Sequence, residues 1–489
     1  MSISVIQSPG ALEPIYSTIP IVISGTSASL SNYRFIFDVY IISQLTAAAT
    51  KIARVKLFPR SDFNCIFSPA RILENQVSYD LSPYGTGFTS SQNSIVKYKV
   101  LLGEEYPVSL YWSGTTSAAT GYVQLNFPAA HGLSLNDTVF VSKTDTIVNS
   151  SYNSYHTVNA ITNTTAITIN VLYGTSSTGE TGYITSLLRM LSSPQISGKT
   201  AINFARKYKE KSIDFNSIYN LTGGTNYWLN TFTGYSSTIA IGTNEQHTLG
   251  GYCNDINYNF DSVIITTYTG TQGNFTIKGI YNTLISGLNA AYDRVDFRCG
   301  TANLASTKDT NQVGTFAYEN IYDSTVTMYK IAPYDSSNGT IGEVVYFKVD
   351  SNCSIYGSKR ICWLNSLGSW SYWTFNSVSS TKFEVVRTQM KKMLTYNYSV
   401  GDRGLTNLSI DKNKFMTVST NWLLDYESEW MSNELFSSPE VFLLDGSDSS
   451  IVPLILIDKK VEVQTQMVDN LIRYTLIFQY ANNDNQQRN

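Results

Sequence analysis

Apolar and polar residues trade places at every second position along much of this chain, and no other feature restricts its fold as much. Tyr33-Arg34-Phe35-Ile36-Phe37-Asp38-Val39-Tyr40-Ile41 alternates over nine residues. Near the end, Ile472, Tyr474, Leu476, Phe478 and Tyr480 fall on one side of another such run, and Lys460 to Gln466 behaves the same way. A period of two belongs to strands with one buried face. Clusters of Ser, Gly and Asn cut the runs apart every ten residues or so, which is sandwich spacing. One stretch keeps a helical period instead: Asn421 to Trp430 sets Trp422, Leu423, Tyr426 and Trp430 on a common stripe, and Pro439 closes the region. These patterns predict a mainly all-β chain. The expected architecture is several β-sandwich or Ig-like domains, an inserted small β-barrel, and a C-terminal module of one amphipathic helix on a β-meander.

At 489 residues the chain exceeds what a single core serves. An N-terminal β-sandwich is expected over 1–112, continued at 187–222, with strands near 33–41, 51–58 and 95–101 and a short helix between Pro69 and Ser78. From Ser113 the charge almost vanishes and short Thr/Ile/Val runs take over, so 113–186 reads as a small barrel inserted into a loop of that domain. A middle β-sandwich follows over 223–385, with strands near 261–268, 274–280, 324–331 and 342–349. It ends in an aromatic hairpin, Cys362 to Phe375, turning at Gly368. The C-terminal docking domain is expected over 386–489.

Only 15% of residues are charged, against about 25% in an average soluble protein. Ser, Thr and Asn, with 34 Tyr, take their place, a mixture suited to surfaces buried against other copies. A net charge of −3 argues against a broad footprint for specific nucleic acid or an anionic membrane. The densest basic run, Ala205 to Lys211, reads as a solvated face. Cys65, Cys253, Cys299, Cys353 and Cys362 are odd in number and scattered, fitting reduced thiols and assembly in a cytosol. The first residues lack a basic and apolar leader pattern, and Leu454 to Ile457 is far too short to span a bilayer, so a soluble protein is expected.

Chemistry-bearing patterns are sparse. His131, His156 and His247 stand apart from carboxylates and cysteines, so no metal spacing arises. Glu104-Glu105 and Glu427/Glu429 are nominal acid pairs, but sequence neighbours that point opposite ways do not meet across a cleft. Asp445-Gly446-Ser447-Asp448 lacks the later Glu of a calcium loop and reads as a hairpin turn. No phosphate-binding loop or G-x-S-x-G elbow is present. The expectation is no enzyme, no cofactor and no metal.

Two stretches carry a resemblance. His131-Gly132-Leu133-Ser134-Leu135-Asn136-Asp137-Thr138-Val139, then Tyr152-Asn153-Ser154-Tyr155-His156-Thr157-Val158 and Thr164 to Ile169, resemble a small β-barrel module recurrent in phage tail and fibre proteins. Asn136 and Ser154 stand where that module has Gly, and Asn136-Asp137 suits a turn needing left-handed backbone. Gly103 to Tyr106, Ile361 to Asn365 with its hairpin, Trp430 through Leu443, and Asp469 to Asn482 together resemble β-rich structural proteins of tailed bacteriophages of Bacteroidetes, including crAss-like ones.

The resemblance implies a non-enzymatic virion structural protein of the tail, baseplate or neck, assembled in the host bacterial cytoplasm. It would form a multi-copy ring or collar with itself and bridge to neighbouring tail, neck or fibre proteins. Trp422, Tyr426 and Trp430 are expected in the core of the C-terminal module, and Trp370, Trp373, Phe375 and Tyr480 are candidates for lateral contacts. The alternative is a receptor-binding fibre recognising host surface glycans, although no heptads or collagen-like repeats provide a stalk. An enzyme degrading capsule polysaccharide is the third reading.

Overall fold

The computed structural model describes residues 3–488 apart from 11, 26–27, 30–31, 44–45, 118–120, 144–153, 174–179, 203–227, 253–261, 272–273, 285–293, 308–319, 336–338, 341, 352–356, 403, 446–448, 458–463, 466–471 and 483. The fold is all-β in class, with antiparallel sheets and three short helices among the described residues, Ala70–Glu74, Thr301–Ala305 and Asp425–Glu434. The backbone divides into two compact units. The first holds Met1–Ala11, Thr18–Ile72 and Lys97–Thr200; the second holds Leu12–Ser17, Leu73–Val96 and Ala201–Asn489.

In the first unit, Arg34–Ile42 realises the nine-residue alternation and pairs antiparallel with Ala49–Leu57 on one side and Ile95–Trp112 on the other. The sheet runs on through Gly182–Ile202 to Thr138–Lys143, Tyr155–Asn163, Ala166–Leu172, Tyr122–Asn126 and Gly114–Ser117. The last five strands enclose an apolar cluster of their own, including Trp112, Val123, Leu125, Val139, Val158, Ile167, Ile169 and Ile184. Asn136 has φ of 67°, the left-handed backbone its turn demands, and its N–H donates to Val158 O. His131 pins the same turn: Nδ1 accepts from Leu133 N at 3.0 Å and Nε2 meets Asn163 O at 2.9 Å.

Glu104 and Glu105 are both buried on Ile95–Trp112, each with a structural partner. Glu104 accepts from Tyr33 Oη at 2.8 Å, and Glu105 pairs with Lys56 Nζ at 2.7 Å. Burial alone pushes the Asp38 carboxyl up, but hydrogen bonds from Arg54 and Lys51 outweigh it and hold Asp38 below the ordinary carboxylate value.

The second unit contains one large apolar core. Thr238–Gly242 pairs in parallel with Val345–Asp350, and the sheet continues through Met328–Asp335, Ser262–Thr271 and Asn274–Leu284. A further sheet runs Trp370–Phe375, Lys359–Leu364, Val441–Asp445, Ser450–Leu456, Thr475–Tyr480, Leu405–Ser419 and Ser379–Lys391. Residues from Trp228 to Phe478 share this core, so the boundary expected at 385/386 falls inside both a continuous core and the strand Ser379–Lys391. Residues 73–96, expected with the N-terminal domain, belong here too. Phe88–Ser90 pairs with Arg294–Arg298, Trp370 Nε1 donates to Asp80 O at 2.8 Å, and Arg298 donates to Ser82 O at 2.8 Å. The basic run 205–211 lies outside the described residues, as does most of 460–466.

Candidate functional site

Two features of the second unit offer themselves for function. The first is a cleft of about 610 Å3, within the range typical of ligand sites. Three pieces of chain frame it: the strand Thr238–Gly242 with the turn that follows, the hairpin Lys359–Phe375, and the approach to the helix Asp425–Glu434. In the turn, the Glu245 carboxylate is fixed from three sides. It accepts from Gly242 N at 3.0 Å and Thr374 Oγ1 at 2.7 Å, and pairs with Arg360 Nη1 at 2.9 Å. The Arg360 fork is further engaged with Gln246 O at 3.1 Å, Thr374 Oγ1 at 2.8 Å and His247 Nδ1 at 3.2 Å. His247 is buried between the Tyr372 and Phe347 rings, and burial together with the Arg360 charge holds its imidazole well below the usual histidine value. Across the cleft, Glu427 accepts from Leu424 N at 3.0 Å; burial pushes its carboxyl up, partly offset by that N–H.

The hairpin owes its rigidity to burial on both faces. Ile361, Trp363 and Phe375 enter the large core, with Trp373 packed against it, while Cys362, Leu364, Trp370 and Tyr372 enter a second cluster with Phe442 and Leu444. Gly368 has φ of 82°, and the turn closes by Asn365 N to Ser369 O at 2.8 Å.

The residues singled out from sequence divide sharply. Trp430 is 2% exposed, touching Trp363, Trp373 and Phe232, and Tyr426 packs partly buried beside it. Trp422 leaves the expected stripe: it is 49% exposed at the cleft, because the helix begins only at Asp425 and Leu424 is extended (φ −75°, ψ 159°). Trp370 and Phe375 are 5% and 1% exposed, so both give their area to their own chain and leave none for lateral contact. Trp373 is half-buried against Trp430. Tyr480 is half-buried too, with Lys414 Nζ 4.2 Å over its ring.

The second feature is a long β-hairpin that sequence reasoning missed. Ser379–Lys391 pairs with Leu405–Ser419, and beyond Lys382 the former strand is exposed on both faces. Phe383, Val385, Val386, Met390 and Leu405 stand in solvent, and at the tip Met393 and Tyr396 are fully exposed. Among the described residues no strand pairs with the outer edge of Ser379–Lys391. At about 3.3 Å per residue the ribbon is ~40 Å long.

Both units are thus all-β bodies, and the second carries an aromatic cleft and an exposed ribbon. Among the described residues no group of three or more His, Cys, Asp and Glu is placed to hold a metal, and no helix is long and apolar enough to cross a membrane. No protein family matches the chain, and no curated protein does. Of solved structures, the phage phi92 endosialidase aligns at 11% identity over 98% of this chain and 68% of that one, with a TM-score of 0.18. A marsupial T cell receptor aligns at 10% identity over 51% of this chain and 84% of that one, with a TM-score of 0.14. Overlaps this low transfer neither fold nor function.

Proposed function

We propose that this chain is a non-enzymatic structural protein of a phage virion, placed in the tail, baseplate or neck, and that it assembles with further copies of itself. The observation that carries the reading is the hairpin 379–419. Its inner strand is backed by Asp484–Arg488 and Thr475–Tyr480 over 409–419, but beyond Thr388 the ribbon has two strands only and, clothed in apolar side chains, is marginal in water by itself. It gains its stability when a neighbour covers it, at about 25 cal/mol per Å2 of apolar area removed from water. Its outer edge offers a row of backbone N–H and C=O groups to a strand of that neighbour. Another copy of the chain is the natural partner, since most oligomers are closed assemblies of identical subunits. The low charge of the chain and the resemblance carried by 131–169, 103–106, 361–375, 430–443 and 469–482 support the virion setting.

Sedimentation velocity of the purified chain tests the reading. Copies should associate, and replacing residues 389–408 by Asn-Gly should leave single chains at the same concentration with an unchanged circular dichroism spectrum. A full-length chain that stays monomeric at high concentration sinks the proposal.

A further inference from the structure

We infer that the cleft between the turn 243–246, the hairpin Lys359–Phe375 and the segment 421–427 is a binding site for an uncharged oligosaccharide. The inference is independent of the hairpin arm and of self-association.

The aromatic wall comes first. Trp422 is held by its backbone neighbours while its indole stands half in solvent. Leu423 exchanges both backbone hydrogen bonds with Ile472, at 2.7 and 3.1 Å, Asn421 Nδ2 donates to Asn376 Oδ1 at 2.8 Å, and Leu424 N is tied to Glu427. An exposed tryptophan on a backbone fixed at both sides is a preorganised stacking surface. It suits a flat, weakly apolar partner such as the C–H face of a sugar ring, since aromatic faces bury large area at small entropic cost. Trp373, half-buried on the hairpin, lines the same cleft.

The polar lining decides the charge of the occupant. Asn230, Asn244, Asn376 and Asn421 line the cleft with planar amides; Asn230 Oδ1 already accepts from Phe232 N and Asn421 donates to Asn376, so Asn244 is the amide that adjacent hydroxyls would engage first. Arg360 is the cation among the described lining residues. Its guanidinium is already spent on Glu245, Thr374, Gln246 and His247. Glu245, Asp350 and Glu427 face the same space. A carboxylate or phosphate entering here meets Asp350 and Glu427 beside the Glu245–Arg360 ion pair, whose charges cancel, so no uncommitted cation among the described lining residues repays its lost hydration. A neutral sugar pays no such cost. A neutral extended peptide is the competing occupant, but it does not need the exposed indole face flanked by amides.

The test uses the full-length protein and titrates tryptophan fluorescence with neutral oligosaccharides (hexose and N-acetylhexosamine oligomers) and with sialylated and uronic ones, alongside a neutral peptide library. Neutral oligosaccharides should bind and anionic ones should bind at least tenfold more weakly. Trp422→Ala should weaken neutral binding tenfold or more, and Trp422→Phe should restore part of it, both with unchanged melting temperatures. Binding of no neutral sugar, equal binding of the anionic set, capture of peptides but no saccharide, or neutral binding that survives Trp422→Ala each overturns the inference. The variant 389–408→Asn-Gly should bind sugar as the parent does, so loss of assembly and loss of binding are read separately.

Discussion

Trp430 sits where three other aromatic rings converge, with Phe232 at 4.8 Å, Trp363 at 5.1 Å and Trp373 at 6.0 Å, and its Nε1–H donates to Thr231 Oγ1 at 2.9 Å. Trp430→Ala should therefore lower stability by about 3–5 kcal/mol in a urea titration. Trp422→Ala, at a half-exposed position, should fall within about 0.5 kcal/mol of the parent. His247 supplies a pH signature. Its folded imidazole is held neutral by burial and by Arg360, whereas the unfolded chain takes up a proton below its ordinary value of 6.5. The unfolded state then binds more protons, so stability falls as pH drops through 6.5, by up to about 1.4 kcal/mol for each further pH unit. Unfolding measured between pH 7.5 and 5.5 should show that slope, and His247→Gln should flatten it. A slope unchanged in the variant would place the proton uptake elsewhere.

At the scale of elements, the bare edge of Ser379–Lys391 is the sensitive feature. Phe383 and Val385 share one face, and Lys412 Nζ lies 4.4 Å from the Phe383 ring centre. Phe383→Lys with Val385→Lys adds charge to the ribbon without touching the core, so association should weaken at least tenfold while the melting temperature of the separated chain holds. Sequence alone marks the strands whose one-sided burial writes an alternation that survives without tertiary knowledge, and leaves others such as Gly182–Ile202, Leu405–Ser419 and Val441–Asp445 unmarked. Thr475–Tyr480 is an example of the former, with Leu476 and Phe478 buried between exposed Thr475 and Ile477, whereas Arg34–Ile42 alternates in sequence yet is covered on both faces from Phe35 to Val39. Sequence fails for other strands covered on both faces or on neither. Trp370 and Phe375 were read as contact residues, yet their strand has aromatics at both parities, which is how a strand covered on both faces looks. The stripe through Trp422 counted a residue that precedes the first helical turn. The cleft is illegible for a different reason: residues 230–247, 357–374 and 421–430 meet only through the sheets, and nothing local announces Glu245 or Arg360 as neighbours.

On the scale of the whole molecule, the region from Gly114 to Leu172 has its own apolar core, while the strands that enter and leave it, Ile95–Trp112 and Gly182–Ile202, lie side by side in one sheet. Replacing 114–181 by a two-residue turn should leave the remaining strands of that unit folded, at the cost of exposing Trp112 and Ile184. Hydrogen exchange should show intact protection across Arg34–Ile42, and a collapse there would refute the separability of the barrel. The register shift between Thr388 and Gln389 has a consequence of its own. In the proposed self-association a straight uncapped margin would invite addition without end, whereas this kink would bend each successive copy away from its predecessor and favour a ring over a filament. Straightening that kink by deleting Leu408, the residue of the facing strand that the ladder skips between Asn407 and Ser409, should turn finite particles into threads visible by negative-stain microscopy.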